Sequence, residues 1–585
     1  MRPAYLRRLR VRLHDCTLFK IWIILVVFAF SVHAIGSLSR FSEVGFKVLD
    51  LRPILAADVV LLFIGIAAFA GQRKTADRVL TLSLVVFVVE MCLSYHSATR
   101  NGIWGFDAVL NFGATERISS EGWRGVGAYP QLFATYDYPA LSLLTSATCM
   151  TSSFSPGLLY AIVPTFLAIV GVVALLSLMK GILSIRNAML ATLVIMMYPS
   201  LFGGLYLLQT IATPVMIVAL FSLLVLGCRS STKNRGGVVA AILLLSLLIG
   251  HILEPYVLLL LAVYGLLYTS LHRWSKSDSK HSRPLEGRLG FPSLLIPKPV
   301  AIVIVVAVIG YWIFLNSSML ERFGGVILQL YEQQPLDRQL HPIGGESALL
   351  VFLDIGEHLM IVAFLGVGLV VLLVRGTDAD RRLSSFLFFP LAIFVTTEFL
   401  VLFKSLHVQI SRFFLWAWLF LIVYAIAHID KGLVKRSSWK ILLALFVVWC
   451  YGTVCSTEVF DGYYEYNYEK TEYKPYLLDS EIEAARWFNM TDGTILGDQG
   501  AWHLLTAFTS ADVVMDIDAI DEGPDRIKAY DWYFFRYENL NLAFDAYLQT
   551  STSVSLDELA AINNASGMAK VFDNGGAAIY RLGTS

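Results

Sequence analysis

Thirteen stretches of this sequence are apolar for long enough to reach across roughly 30 Å of bilayer hydrocarbon. They cover residues 18–35, 54–70, 79–95, 158–178, 188–207, 211–228, 238–250, 256–271, 300–315, 349–374, 386–403, 413–427 and 441–454. With 56% hydrophobic and 15% charged residues and a mean hydropathy of +0.65, the chain has too little polar surface to cover such stretches in water. A water-soluble multidomain enzyme is excluded, and the expected fold class is a polytopic α-helical membrane protein of about 13 transmembrane helices.

Charge sets the expected orientation. The chain carries 45 basic and 45 acidic residues, so its net charge is zero and a nucleic-acid partner has no electrostatic support. From Thr457 onward, however, there are 22 acidic and 8 basic residues, which leaves 23 acidic and 37 basic residues in the preceding part. With the N-terminus inside, the cytoplasmic segments hold 27 Lys and Arg against 10 in the external loops, as the positive-inside rule prefers. The expectation is N-in, C-out, in a multi-pass plasma-membrane protein with a separate acidic extracytoplasmic tail. Residues 1–96 then form the N-terminal segment and first three spans, 97–157 an external loop, 158–456 the rest of the bundle, and 457–585 a Tyr-rich linker and small α/β domain.

Two stretches bear on that parity. The run 138–151 is short and rich in Ser and Thr, and reads as a re-entrant or interfacial helix; as a span it would move the basic loop 273–298 outside, against the charge bias. The run 238–271 is too long for one helix and breaks at His251-Ile-Leu-Glu254-Pro255, which reads as a tight hairpin. The first span follows five arginines and reads as an uncleaved signal anchor. Three N-x-S/T sequons, at Asn316, Asn489 and Asn564, all fall on the side assigned as external. The six cysteines lie in or beside apolar stretches and offer neither a disulfide framework nor a zinc motif.

Candidate chemistry concentrates in the external loop. Its sequence runs Gly102-Ile-Trp104-Gly-Phe-Asp107, then Asn111 and Glu116-Arg117, then Tyr136-Asp137-Tyr138-Pro139. A carboxylate flanked by aromatics at the head of an amphipathic helix can take a proton from a hydroxyl nucleophile. Asp before an apolar run is also a favoured helix cap, so residue type alone leaves Asp107 open between the two roles.

Taken together, the early external acid, the amphipathic helix, the Tyr-Pro-initiated apolar segment, the long helix bundle and the C-terminal domain resemble the GT-C superfamily of polyprenyl-phosphate-dependent glycosyltransferases. Within it, the chain looks most like little-characterised archaeal membrane proteins. Three further segments carry the resemblance: Tyr206-Leu-Leu-Gln209-Thr-Ile-Ala-Thr213-Pro214, the turn His251 to Pro255, and Lys404-Ser-Leu-His407-Val-Gln409-Ile-Ser-Arg412-Phe413-Phe414. The resemblance implies an inverting transferase that moves a sugar from a polyprenyl-phosphate carrier to a glycan, lipid or protein acceptor on the extracytoplasmic face, with Asp107 as catalytic base. Three spans precede Asp107, two more than the family pattern has, so Asp107 corresponds to the family's acid only if the first hairpin is an addition. No external DxD follows either: the two D-x-D strings are Asp378-Ala-Asp380, on the cytoplasmic side, and Asp516-Ile-Asp518, in the tail. A metal-independent mechanism is therefore favoured, with a divalent cation left open as cofactor. A lipid-linked glycan transporter or flippase, or a non-catalytic assembly protein of the same fold, is the alternative.

Such a transfer needs cations for the departing phosphate and aromatic faces for the sugar. Arg412, with His407 and Lys404, is the first choice for the phosphate, because a guanidinium contacts phosphate bidentately; Lys404 and Arg412 can equally be snorkelling residues at helix ends. Arg322 and Arg338 with His341 come second. Trp104, Asn111, Glu116, Asp137, Tyr138, Gln209, His251 and Glu254 are the candidates for acceptor and sugar, the last two also readable as capping residues. Asp354 and His358 share a helical face as a ligand pair or a hydrogen-bonded pair would, and Glu398, inside a span, should face the bundle.

The tail offers no Gly-rich phosphate loop and no nucleophile motif. Ser480 and Glu483 open a helix through Trp487, Thr494 to Asp498 reads as a strand, a helix follows from Ala501, and a strand lies at residues 513–515. Asp573-Asn-Gly-Gly576 marks a terminal hairpin, and Trp532-Tyr-Phe-Phe535 reads as core.

Overall fold

The computed structural model describes residues 17–32, 34, 60–66, 73–98, 102–104, 106–122, 140–152, 154, 156–198, 244, 247, 253–277, 298–314, 348–375, 385–401, 410–431, 436–456, 476–488, 493–509, 512–540, 543–545, 550–552, 554–575 and 577–582. The apolar runs become helices wherever they are described. These are α1 (17–32), α2 (60–66), α3 (Arg73–Ala98), α6 (Pro156–Ile182), α7 (Ile185–Met196), α8 (Leu253–Ser277), α9 (Lys298–Phe314), α10 (Ala348–Arg375), α11 (Ser385–Val401), α12 (Ile410–Lys431) and α13 (Arg436–Ser456). The expected run 211–228 and most of 238–250 lie outside the described residues, so thirteen spans are not counted here.

Helix α12 is the post around which the bundle packs. Every residue from Phe414 to His428 is buried, which suits a segment that is apolar on all sides. Trp418 anchors it, with Phe364 edge-on at 5.3 Å, Phe446 at 4.4 Å and Trp449 at 6.5 Å. Ser184 caps α7 by accepting from the Asn187 amide, and eight of that helix's twelve residues are buried against the same core.

The outer helices do the reverse of what water selects. Phe166 is 62% exposed on α6, Val306 64% on α9 and Val448 64% on α13, each with further large aliphatic residues exposed on the same helix. Taken singly, no helix among the described residues is long and apolar enough to cross a membrane.

Between the bundle and the tail lie β1 (Gly102–Trp104), α4 (Phe106–Glu121) and α5 (Ala140–Ser152). Helix α5 coincides with the short Ser/Thr-rich run. It packs on α4, where the Thr145 and Thr115 hydroxyls meet at 3.0 Å and Ser146 donates to the Thr115 carbonyl at 2.8 Å.

The tail contains β2 (Tyr476–Leu478), α14 (Asp479–Trp487), β3 (Thr494–Gly497), α15 (Gln499–Phe508), β4 (Asp512–Met515), α16 (Ile517–Glu522), α17 (Pro524–Ile527), β5 (Trp532–Arg536), β6 (Ala543–Asp545), β7 (Thr550–Thr552), α18 (Leu556–Asn564), β8 (Met568–Asp573) and β9 (Ala577–Leu582). Its main sheet has the order β4-β3-β5-β9-β8, with β3 parallel to β4 and β5 and with β9 antiparallel to β5 and β8. The expected helices, strands and hairpin are present. Helix α15 starts two residues before Ala501, because Asp498 caps it by accepting from the Ala501 amide. Tyr533, Phe534 and Phe535 of the WYFF segment are buried, as core.

Candidate functional site

Asp107 is the second residue of α4, one residue beyond the helix start and immediately after β1. That is the first turn, where unpaired amides and the helix dipole favour a carboxylate. Strand β1 pairs antiparallel with β2, matching Gly102 with Leu478, Ile103 with Leu477 and Trp104 with Tyr476. The approach to Asp107 is thus tied to the entry of the tail domain.

The rest of α4 is held from two sides. Leu110, Ala114 and Ile118, one turn apart, are buried with Ile482 and Ala485 of α14 and Ala501, Leu504 and Leu505 of α15. At Gly113 an added Cβ would stand 2.4 Å from the Ala507 carbonyl oxygen, so only glycine lets the helices approach this closely. Arg117 reaches over the C-terminal end of α15, donating to the carbonyls of Ala507 at 3.2 Å and Thr509 at 2.6 Å, where a cation satisfies otherwise unpaired carbonyls. Glu116 pairs with Arg486 at 2.5 Å, and the Arg486 guanidinium lies over the Phe112 and Phe508 rings. The opposite face of α4 meets α5 and α6. Helix α4 is therefore a layer between the helical bundle and the C-terminal α/β domain.

Of the sequence candidates, Trp104, Asp107, Asn111, Glu116, Glu254 and Arg412 lie on described elements. Glu254 is in the first turn of α8 and Arg412 in the first turn of α12. Asp137, Tyr138, Gln209, His251, Arg322, Arg338, Lys404 and His407 lie outside the described residues, as do the tyrosines of the linker before Tyr476. Glu116, expected as a sugar contact, has its carboxylate engaged by Arg486. His358 on α10 stands edge-on to Phe414 at 5.1 Å and to Phe394 at 6.4 Å, an aromatic nest at the top of the central post. Among the described residues no group of three or more His, Cys, Asp or Glu could hold a metal ion.

Sequence reading met Arg117 only as a neighbour of Glu116, with no role, and did not single out Gly113 or Arg486. The signal available was the apolar spacing of Leu110, Ala114 and Ile118, which shows that α4 has a face to bury but not against what. A second unforeseen group is the buried triad of the tail: Arg536 donates to Glu481 at 2.8 Å and to Asp498 at 3.0 Å, with all three side chains at most 2% exposed. It closes the C-terminal ends of β3 and β5, and Gly500 leaves room for the guanidinium, since a Cβ there would meet Nη1 at 1.9 Å.

No family model matches the chain, and no curated protein matches it in sequence. Among solved structures it is similar to the apo oligosaccharyltransferase of Archaeoglobus fulgidus, with 10% identity over 77% of this chain and 69% of that one and a TM-score of 0.47. The same enzyme tethered to an acceptor peptide containing the NVT sequon gives 12% identity, 78% and 69% coverage, and 0.46. ArnT of Cupriavidus metallidurans bound to undecaprenyl phosphate gives 11% identity over 85% of this chain and 97% of that one, also at 0.46. At such identities and TM-scores the likeness assigns no family, substrate or residue role to this chain.

Proposed function

We propose that the chain is a membrane-embedded, inverting glycosyltransferase of GT-C type, which moves a sugar from a polyprenyl-phosphate carrier to a hydroxyl- or amide-bearing acceptor at the extracytoplasmic face. The observation that carries the reading is the placement of α4. A helix headed by an acid and preceded by Trp104 is clamped between an apolar bundle and a soluble domain, the layer in which the headgroup of a lipid carrier meets a water-borne acceptor. Large apolar residues exposed on the bundle's outer helices support lipid as its surroundings, for a monomer in water rarely presents such a surface.

In this mechanism the Asp107 carboxylate accepts the acceptor's proton as its oxygen or nitrogen attacks the anomeric carbon. The bond from that carbon to the carrier phosphate breaks, its electron pair leaves with the phosphate, and the sugar inverts. Arg412, supported by Lys404 and His407, neutralises the departing phosphate; Arg322 and Arg338 stand second. Aromatic and polar residues of the external loops hold the sugar.

Asp107→Asn decides the matter. The amide keeps shape and capping ability but cannot take a proton, so transfer by folded protein should fall about 10²- to 10⁴-fold, with the melting temperature little changed. The assay is transfer from a polyprenyl-phosphate sugar by purified protein in lipid. Near-normal turnover of the Asn variant would leave Asp107 a structural residue of the first turn.

A further inference from the structure

Helix α4 belongs to the core of a domain that begins about 360 residues after it, and that places a second demand on the tail. The contacts are of several independent kinds: a buried apolar stripe, a glycine at closest approach, a cation over a helix end, an ion pair and a strand pair. The first four act on α4 itself and the strand pair on β1, which leads into it; α4 carries Asp107 in its first turn. We infer that the tail domain is the positioning device for Asp107, with Gly113 and Arg117 as positioning residues that fix where the carboxylate stands. The inference rests on the reading of Asp107 as catalytic base.

The geometry sets the sensitivity. A Cβ at Gly113 would lie 2.4 Å from the Ala507 carbonyl oxygen and 2.7 Å from its Cβ. Ordinary contact begins near 3.5 Å, so Gly113→Ala drives α4 and α15 apart by about 1 Å. The nearest atom is a backbone carbonyl in the last turn of α15, held by Arg117, and so yields less easily than the end of a flexible side chain. A displacement of that size remote from the chemistry can cost about 10²-fold in rate. Arg117→Ala loosens the same joint without adding bulk, whereas Arg117→Lys keeps the charge and part of the donation to the α15 carbonyls.

The test uses the full chain in lipid. Gly113→Ala should lower kcat about 10²-fold with donor KM within about threefold of wild type, because the carrier site lies on other elements. Arg117→Ala should lower kcat as well, and Arg117→Lys should fall between it and wild type. Hydrogen exchange supplies a readout independent of activity: in Arg117→Ala, amides 106–112 should exchange faster than in wild type, together with those of α15. If wild type transfers sugar and the folded variants keep its kcat, the positioning inference is wrong and the glycosyltransferase reading stands. If wild type transfers nothing, that reading fails, and exchange still decides the mechanical part. Faster exchange confined to α15, with 106–112 unchanged, overturns it. Should Gly113→Ala not fold, the two Arg117 variants carry the comparison.

Discussion

Replacing Arg536 by Met would remove the only cation among the three members of the buried triad while keeping the side chain's length and apolar bulk. Glu481 and Asp498, at 1% and 0% side-chain exposure and 2.8 and 3.0 Å from the guanidinium, would then stand in the interior without it. Removing one partner of a buried ion pair costs about 3–5 kcal/mol, chiefly from the stranded charge. For a domain of about 100 residues each kcal/mol is worth about 4–8 °C, so the tail should melt at least about 12 °C lower. Asp498 also caps α15, so the loss should spread to the helix that grips α4. Adding Glu481→Gln to Arg536→Met removes one stranded charge and should regain part of the stability, which a purely steric defect would not. The assay is thermal unfolding of the full chain in lipid, with tail peptides followed by hydrogen exchange. A midpoint within about 4 °C of wild type, the shift of an ordinary surface substitution, would refute the triad as a buried electrostatic lock.

Other expectations are direct. Arg412→Ala should raise the donor KM or abolish turnover, with Lys restoring only part because it lacks the planar fork; wild-type kinetics would move the phosphate to Arg322 or Arg338. A reporter fused after Ser585 should be active only outside the cytoplasm, and cytoplasmic activity would overturn the orientation. Tail stability should fall at both extremes of pH. At Asp516, burial raises the carboxyl, but donation from the Tyr530 hydroxyl and the Ala519 amide, with Arg526 nearby, holds it below its ordinary 3.8. A lowered acid contributes stability present above its unfolded value and lost as pH falls through the folded one, so acid unfolding should set in below about pH 4. Burial first and Asp516 second push Tyr530 up to about 12, and burial with Asp573 does the same for Tyr580. Raised phenols stabilise fully below their unfolded value near 10 and lose that contribution as pH climbs toward about 12; an unfolding midpoint that is flat from pH 10 to 12 would count against these assignments.

Elements dictated by local chemistry were legible in the sequence. Ser480 and Glu483 at a helix start, the apolar run 494–497 and Asn-Gly between two strands each specify themselves, and α14, β3 and the β8–β9 hairpin stand where those signals lie. The long apolar runs likewise become helices wherever they are described. What sequence could not supply was pairing at a distance. Strand β1 has three residues, too few for an alternation to register, and its partner lies at Tyr476 to Leu478. Glu116 reads as an external acid near aromatics and so as a sugar contact; only the fold brings Arg486 to it. Nothing in the spacing of Arg536, Glu481 and Asp498 links them; the sheet and its crossovers enclose them together.

The separation between Glu116 and Arg486, 370 residues, also orders events during synthesis. At about 5–20 residues per second, some 20–70 s pass between emergence of α4 and emergence of the segment it must dock on. Through that interval Leu110, Ala114 and Ile118 have no partner of their own to cover them, and the head of α4 is not yet tied down by β2. A ribosome that stalls before the tail is made would leave α4 with this face unseated. Docking of α4 thus waits on synthesis of the domain that receives it.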